Sequence, residues 1–504
     1  MSAAAAGASL KLRRLGIDTY REPIVFLHAD SSVCRAEGFR ALSRVRLHCG
    51  SRDLIATLNV VHGGLLACDE AGLSESAWKA LGAHDGDIGM MSHPPALESF
   101  SAIRSKIYGT RFDDEAMHRC IRDISAGRYS SVELAAFLTI CAGNRMDMGE
   151  TLALTRSMVD AGTRLQWTQH PVADKHSVGG LAGNRTTPIV VAIVAACGLT
   201  IPKTSSRAIT SPAGTADTME VLAPVELTLE HMRRVVDSEG GCIVWGGSMA
   251  LSPADDILIQ VERPLDFDSD AQLAASVLSK KVAAGSTHLL IDIPVGPTAK
   301  LRSAAAAQAL ADRLGAVGEA LGLTVRSVQT DGSQPIGRGI GPVLEALDVV
   351  AVLQRQASAP PELRARATQL AGALLEMTGR ADAGQGLGMA EATLESGSAW
   401  RKFQAICEIQ GGMREPRLAP HRRELPSSIA GTVCGIDNRR LGRIAKLAGA
   451  PLSPAAGLVL EARLGQKVES GQPLLTIHAQ SPGELEYAWA YASGHPQIVC
   501  VAPA

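Results

Sequence analysis

Apolar and polar residues alternate with two different periods along this chain, and the changes between them mark its parts. Between about Leu15 and His93 short apolar runs recur, PIVFLHA, RVRLHC and LIATLNVV, separated by polar or glycine-containing turns. Runs of this length and composition predict the strands of a small barrel or sandwich, with a helix near ESAWKAL. From Phe112 to about Trp167 the period lengthens. DDEAMHRCIRDI places acids where a helix N-terminus attracts them, and SSVELAAFLTICAG opens on a serine cap with a glutamate in its first turn. GETLALTRSMVDAGTRL continues the period, so three helices on short links predict a helical subdomain.

Further on, TPIVVAIVAACGL predicts an apolar helix ending at Gly198, and CIVWGG a buried strand. A helix from about Ser269 to Ala284, the strand HLLIDIPVG, the helix AAAAQALADRLGAVGEALG and the strand TVRSVQT follow in turn. That alternation predicts α/β architecture with a largely parallel sheet, after which helices dominate to about Gly412. From about Ser427 the chain returns to short strands. GLVLEARLGQKVESGQPLLTIHA has the turn spacing of a biotinyl/lipoyl-type hammerhead, but its turn reads AQSPG and lacks a modifiable lysine, which leaves a structural or assembly role.

At 504 residues the chain is too long for one core, and about three domains is the expectation. Apolar residues make up 46% and charged residues 20%, a soluble globular profile. A formal net charge of -2 excludes a general nucleic-acid or membrane binder, and 3% aromatics excludes a base-stacking platform. The ten cysteines form no CxxC pair, so they read as small core hydrophobes of a reducing compartment. In MSAAAAGASLKLRRLG the charges follow the alanine run, unlike a signal peptide, and no uncharged run is long enough to span a bilayer. The expected location is cytoplasmic.

Three segments carry candidate chemistry. ADKHSVGGLAGN, Ala173 to Asn184, reads as a loop-like stretch holding Lys175, His176 and Ser177 before Gly179 and Gly180. Amides of a glycine-rich turn ahead of a helix can point at an anion, and a lysine adds a point charge; a surface turn with ordinary capping is the plainer reading. KTSSRAITSPAGTADTMEV, Lys203 to Val221, gathers hydroxyls around Arg207, which fits a phosphate or sugar and equally fits ST-turns. In DSDAQLAASVLSKKVAAG, Ser276 and Lys280 share a helix face, with Lys280 either directed inward as a ligand hook or snorkelling to solvent. Asp268 stands at the expected N-cap of that helix, and Lys300 just past a strand's C-terminal end, where open α/β folds bind ligands.

Together these segments resemble the thymidine/pyrimidine-nucleoside phosphorylase family. DKHSVGG resembles its phosphate loop, VAACGLTIPKTSSRAIT follows at the family's spacing, and SPADD, SVLSKK, SMVDAGTRLQW and QTDGSQPIG match further blocks, over roughly Asp113 to Leu418. The resemblance implies reversible phosphorolysis of an N-glycosidic bond by a multidomain α/β enzyme. Its helical domain would comprise residues 99–168 and 249–283, and its α/β phosphate-binding domain residues 169–248 and 284–425. A β-rich domain (1–98) and a hammerhead-like β-rich domain (426–504) would flank them.

Carried over by position, Lys175, Ser177, Thr187, Ser205 and Thr215 would cradle phosphate, while His176, Arg263, Ser276 and Lys280 would face base or sugar. GGLAGNR and SSRAITSPAGT depart from the better-known members and resemble the AMP-phosphorylase branch. There the binding residues would correspond to Gly180, the run Ser206, Arg207, Ala208, Ile209, Thr210 and Ser211, then Thr215, Ser276 and Lys300. Asp268 would be the proton donor, with His176 as the other candidate acid. The family implies small-molecule substrates only, no metal or organic cofactor, an active site assembled by closure of the helical domain on the α/β domain, and a homodimer or larger homo-oligomer. An anthranilate-type phosphoribosyltransferase, which would want an acidic metal pair, and a non-catalytic nucleotide-binding or assembly protein are the alternatives.

Overall fold

The computed structural model describes residues 9–503 except Arg21, Asn144, Ile209, Thr210 and residues 266–268, and it does not describe the side chain of Arg263. The candidate residues Ile209, Thr210 and Asp268, and the side chain of Arg263, therefore lie outside the described residues. Two compact units, 1–140 and 141–504, divide the chain.

In the first unit, β1 (Ser9–Arg14), β2 (Ile24–His28), β3 (Arg44–Cys49), β4 (Arg52–Val61), β5 (Glu70–Leu73) and β6 (Ile88–Ser92) close into a barrel, in the order β1-β5-β2-β4-β3-β6. In β3, Val45, Leu47 and Cys49 face the filled interior while Arg44, Arg46 and His48 face outward, the period-2 pattern of a strand with one buried face. The helix near ESAWKAL spans Glu75–Leu81 and is capped by Ser74. Helices Phe100–Ile107, Asp114–Ser125 and Ser131–Cys141 come next along the chain; Asp113 caps the second, with Asp114 and Glu115 in its first turn.

The second unit is built on parallel strands. β7 (Ala173–Ser177) pairs with β10 (His288–Val295), which pairs with β11 (Thr324–Asp331); β8 (Ile201–Ser205) pairs with β9 (Gly241–Trp245). A parallel bridge between Val172 and Thr200 joins the two sets, giving the spatial order β11-β10-β7-β8-β9. The chain thus winds outward one way from β7 and then returns to wind the other way from β10. β7 and β10 flank the switch point, outside whose carboxyl ends such sheets form a crevice.

Helix Thr187–Ala196, TPIVVAIVAA, is buried on every side within the larger core, as its uninterrupted apolar run predicts. β10 is nearly as apolar because helices cover both of its faces. The edge strand β9 is closed by one side chain: Gln410 accepts from the Ile243 amide (2.8 Å) and donates to the carbonyls of Ile243 and Pro224.

The carboxyl-terminal part holds a sheet of order β12-β15-β17-β13, from β12 (Gly339–Ile340), β13 (His421–Pro426), β15 (Gly457–Leu460) and β17 (Pro473–Ala479). A second, of order β16-β14-β18, comprises β14 (Gly431–Ile436), β16 (Lys467–Val468) and β18 (Val499–Pro503). Helices Asn438–Leu447 and Pro482–Ser493 pack with them in one apolar cluster. The AQSPG turn opens the second helix through a capping box between Ser481 and Glu484. Among the described residues no helix is long and apolar enough to cross a membrane.

Candidate active site at the sheet switch point

ADKHSVGGLAGN is not a loop throughout, as expected, because Ala173–Ser177 forms β7 and only the segment from Val178 onward turns away before helix Thr187–Ala196. Alternation splits the strand's polar residues between two faces. Lys175 and Ser177 share one face with Asp292, the register partner of Ser177 on β10. Asp174 and His176 lie on the other.

On the first face the Lys175 ammonium is fully buried and donates to Ser177 Oγ (2.5 Å) and Thr186 Oγ1 (2.7 Å). Asp292 Oδ2 lies 3.9 Å from the same nitrogen, an ion pair too long for a hydrogen bond. Asp292 accepts from Ser177 Oγ (2.7 Å), Asn184 Nδ2 (3.2 Å) and Thr330 Oγ1 (2.6 Å). Burial pulls the Lys175 pKa down to about 8, against the attraction of Asp292 and with the repulsion of Arg185 and Arg366. Desolvation pushes the Asp292 carboxyl the other way, yet Lys175 and the hydroxyl donors hold it below its ordinary value.

Above this cluster the backbone is shaped for close approach. Gly179 and Gly180 have φ of +89° and +77°, and a Cβ on Gly180 would stand 2.5 Å from Cβ of Lys300. Thr186 occupies the N-cap position without a side-chain capping bond, and Thr187 and Pro188 begin the helix, so its positive end faces the same region. Ser205 ends β8, and its buried Oγ has no partner among the described residues; neither do Asn184 Oδ1 and Arg366 Nη1. Buried orphan donors and acceptors of this kind are what a bound polar ligand satisfies.

On the opposite face Asp174 is clamped by Lys203 (3.0 Å) and Lys281 (2.8 Å) and accepts from Ser286. His176 is half-buried; burial first, and then the lysines 281, 203, 175 and 280, push its pKa well below the ordinary value. Its imidazole is therefore neutral at pH 7, and a role as an imidazolium acid does not fit it.

The family models described as "Glycosyl transferase family, helical bundle domain", "Glycosyl transferase family, a/b domain" and "Pyrimidine nucleoside phosphorylase C-terminal domain" match residues 100–162, 169–400 and 432–497. A protein of Polaromonas sp. (strain JS666) named "Putative thymidine phosphorylase" is 60% identical, covering 98% of this chain and 96% of that one. The chain belongs to the thymidine/pyrimidine-nucleoside phosphorylase family. A relative of the same name in Hahella chejuensis (strain KCTC 2396) is 56% identical, with 97% of each chain covered. Anthranilate phosphoribosyltransferase from Thermus thermophilus is similar in fold, with a TM-score of 0.52 at 20% identity over 61% of this chain and 99% of that one. Family membership makes the chain a glycosyltransferase of the pentosyl-transferring kind.

The second candidate segment departs from its sequence reading. The Arg207 guanidinium does not face an anion site: it pairs with Asp217, Glu220 and Glu226 and lies over the Trp245 ring at 4.9 Å. Asp217 accepts from the Ala208 and Gly214 amides (2.6 and 2.8 Å), so these two carboxylate contacts and Arg207 brace the loop from outside. Gly214 approaches so closely that a Cβ would meet the Arg207 carbonyl carbon at 2.5 Å. Ser206 is exposed, and Ser211 Oγ donates to the Ala213 carbonyl. Thr215 begins the next helix and accepts from Arg185 Nη1 (2.7 Å), whose Nε donates to Glu345 (2.6 Å).

In helix Asp270–Ala283 the N-cap is Ser269 rather than Asp268, its hydroxyl accepting from the Gln272 amide. Of the two adjacent lysines it is Lys281, which the sequence reading did not single out, that is buried; Lys280 reaches Asp255, and Ser276 is half-buried. Lys300, half-buried, lies beyond the carboxyl end of β10 against Gly180, in a loop held by the C-terminal part. Asn438 donates from its amide nitrogen to Thr298 Oγ1 (3.0 Å) and the Gly332 carbonyl (3.1 Å), joining the loops after β10 and β11. Arg463 Nη1 donates to the Pro335 carbonyl (2.5 Å) in the second of these loops.

Sequence reasoning passed over Asp292, Thr186, Arg185, Thr330, Asn438 and Arg366. A signal existed for one of them: an aspartate inside the apolar run HLLIDIPV is costly unless partnered. Among the described residues no three His, Cys, Asp or Glu side chains converge to hold a metal ion.

Proposed function

We propose that this enzyme catalyses reversible phosphorolysis of an N-glycosidic bond. Inorganic phosphate attacks C1′ of a nucleoside or a nucleoside 5′-monophosphate, releasing the free base and a pentose 1-phosphate or 1,5-bisphosphate. The observation that carries this reading is the buried ammonium of Lys175, flanked by the Ser177 and Thr186 hydroxyls at a helix N-terminus. Lys175, Ser177, Thr187, Ser205 and Thr215 are assigned to the phosphate, with the orphan Ser205 hydroxyl supplying a donor. A dianion there would restore the full charge of Lys175, and so binds more tightly than a neutral ligand.

The transition state gathers positive charge at C1′ and negative charge on the leaving base, so preorganised groups at both ends lower the barrier. Gly180, the 206–211 backbone, Arg263, Ser276, Lys280 and Lys300 are assigned to the nucleoside, and Arg207 to shaping that backbone. Asp268 is assigned as proton donor. His176, neutral, serves as a hydrogen-bond partner instead.

The loops GGLAGNR and SSRAITSPAGT resemble the AMP-phosphorylase branch, which supports a nucleoside 5′-monophosphate as the organic substrate. The name that the relatives bear supports thymidine. Incubation with phosphate and a panel of nucleosides and their 5′-monophosphates, followed by detection of free base, separates the two. Release from monophosphates alone supports the first, release from thymidine supports the second, and release from none defeats the proposal.

A further inference from the structure

The ten cysteines do not share one environment: seven are buried, while Cys68, Cys434 and Cys500 are exposed. Two of the exposed three meet. Cys434 lies on β14 and Cys500 on β18, neighbours in an antiparallel pair near the C-terminus. Their register shifts in passing: Val433 faces Val501, but Gly435 faces Cys500, so Cys434 and Gly435 together oppose the single residue Cys500. A bulge of this kind re-aims a side chain, and here it brings both thiols to the outer face of the sheet.

Inward neighbours confirm the direction, since Val433, Ile436 and Val499 are buried in the C-terminal core. Gly435 puts no side chain beside Cys500: a Cβ added there would stand 3.6 Å from Cβ of Cys500, in van der Waals contact with it. Cys434 Sγ donates to the Cys500 carbonyl oxygen at 3.4 Å, which places the Cys434 sulfur against the backbone of Cys500. The residue directly opposed to Cys500 is Gly435, next in the chain to Cys434; opposed residues of antiparallel strands have Cα atoms about 4.5–5.5 Å apart, so Cys434 stands one residue from a position that a disulfide spans.

We propose that Cys434 and Cys500 are a dithiol site that forms an intramolecular disulfide by exchange with a low-molecular-weight disulfide. The Cys434 thiolate attacks one sulfur of the small disulfide, forming a mixed disulfide and releasing the first small thiolate. The Cys500 thiolate then attacks the Cys434 sulfur and expels the second. The protein loses two electrons and two protons, and the small disulfide is reduced to two thiols. The bond ties the last strand to β14, the strand that runs directly into Asp437 and Asn438.

The test is treatment of the folded, reduced full-length protein with oxidised glutathione at neutral pH, followed by intact mass measurement and peptide mapping. The expected result is a mass loss of two hydrogens with a linked peptide pair containing Cys434 and Cys500. Any glutathione on the exposed Cys68 maps to its own peptide. In Cys500→Ser, Cys434 should retain a glutathione adduct, because the resolving thiol is gone. The oxidised wild type should also melt at a higher temperature than the reduced form, a shift absent from Cys434→Ser. Stable adducts on both cysteines of the wild type, or no reaction at either, would overturn the proposal.

Discussion

Replacing Lys175 by methionine separates what this residue does for the fold from what it does for phosphate. Its pKa falls from 10.5 to about 8 on burial. The shift corresponds to a cost of about 3 kcal/mol for holding the charged ammonium inside the folded chain. Because the folded value lies below the unfolded one, the cost is fully present below pH 8 and is relieved as pH rises toward 10.5. Lys175→Met removes that cost but strips Asp292 of its cation, and breaking a buried pair costs about 3–5 kcal/mol. Asp292 keeps the Ser177, Asn184 and Thr330 donors, which limits the loss. The two effects nearly offset, so denaturant unfolding at pH 7 should show a stability within about 2 kcal/mol of wild type. Turnover should fall by about 10²–10³, with a raised KM for phosphate, as on removal of one preorganised donor. A variant that turns over at near-wild-type rate in saturating phosphate would refute the reasoning.

Other consequences are more local. Gly180→Ala should abolish most activity, since its φ of +77° and the 2.5 Å approach to Lys300 leave no room for a methyl group, and steady-state assay of the purified variant checks this. Asn438→Ala removes two side-chain hydrogen bonds between loops and should lower stability by about 1–3 kcal/mol. It should also raise KM for the nucleoside or nucleotide more than it lowers kcat, a split that a purely structural loss would not give. The His176 ring should titrate well below the ordinary imidazole range in an NMR titration and stay neutral at pH 7, because burial and four lysines disfavour its cation.

The parts of this fold that were legible in the sequence are those where one physical cause dominates. β3 alternates because a barrel has one dry face, and TPIVVAIVAA is uninterrupted because its helix has no wet one. β7 carries no strand signature in the sequence because its site residues are polar on both faces: Lys175 and Ser177 answer Asp292, while Asp174 answers Lys203 and Lys281. No local pattern contains those partners, which come from more than a hundred residues away for Asp292 and Lys281. The same limit explains Lys280 and Lys281. Neighbours on a helix differ by about 100° in direction, and only the packing of helix Asp270–Ala283 decides which faces Asp174. For Arg207, the hydroxyls around it hid the acids Asp217, Glu220 and Glu226 that take up its charge.

The central claim is that inorganic phosphate, held at Lys175, becomes bonded to C1′ of the sugar. Phosphorus NMR of the reaction with a substrate that releases base tests it most directly. The account predicts that base appears only when phosphate is present, in equal amount with a pentose 1-phosphate or 1,5-bisphosphate signal, and that Lys175→Met loses both together. Base released at the same rate without phosphate, with free pentose or pentose 5-phosphate as co-product, would contradict it.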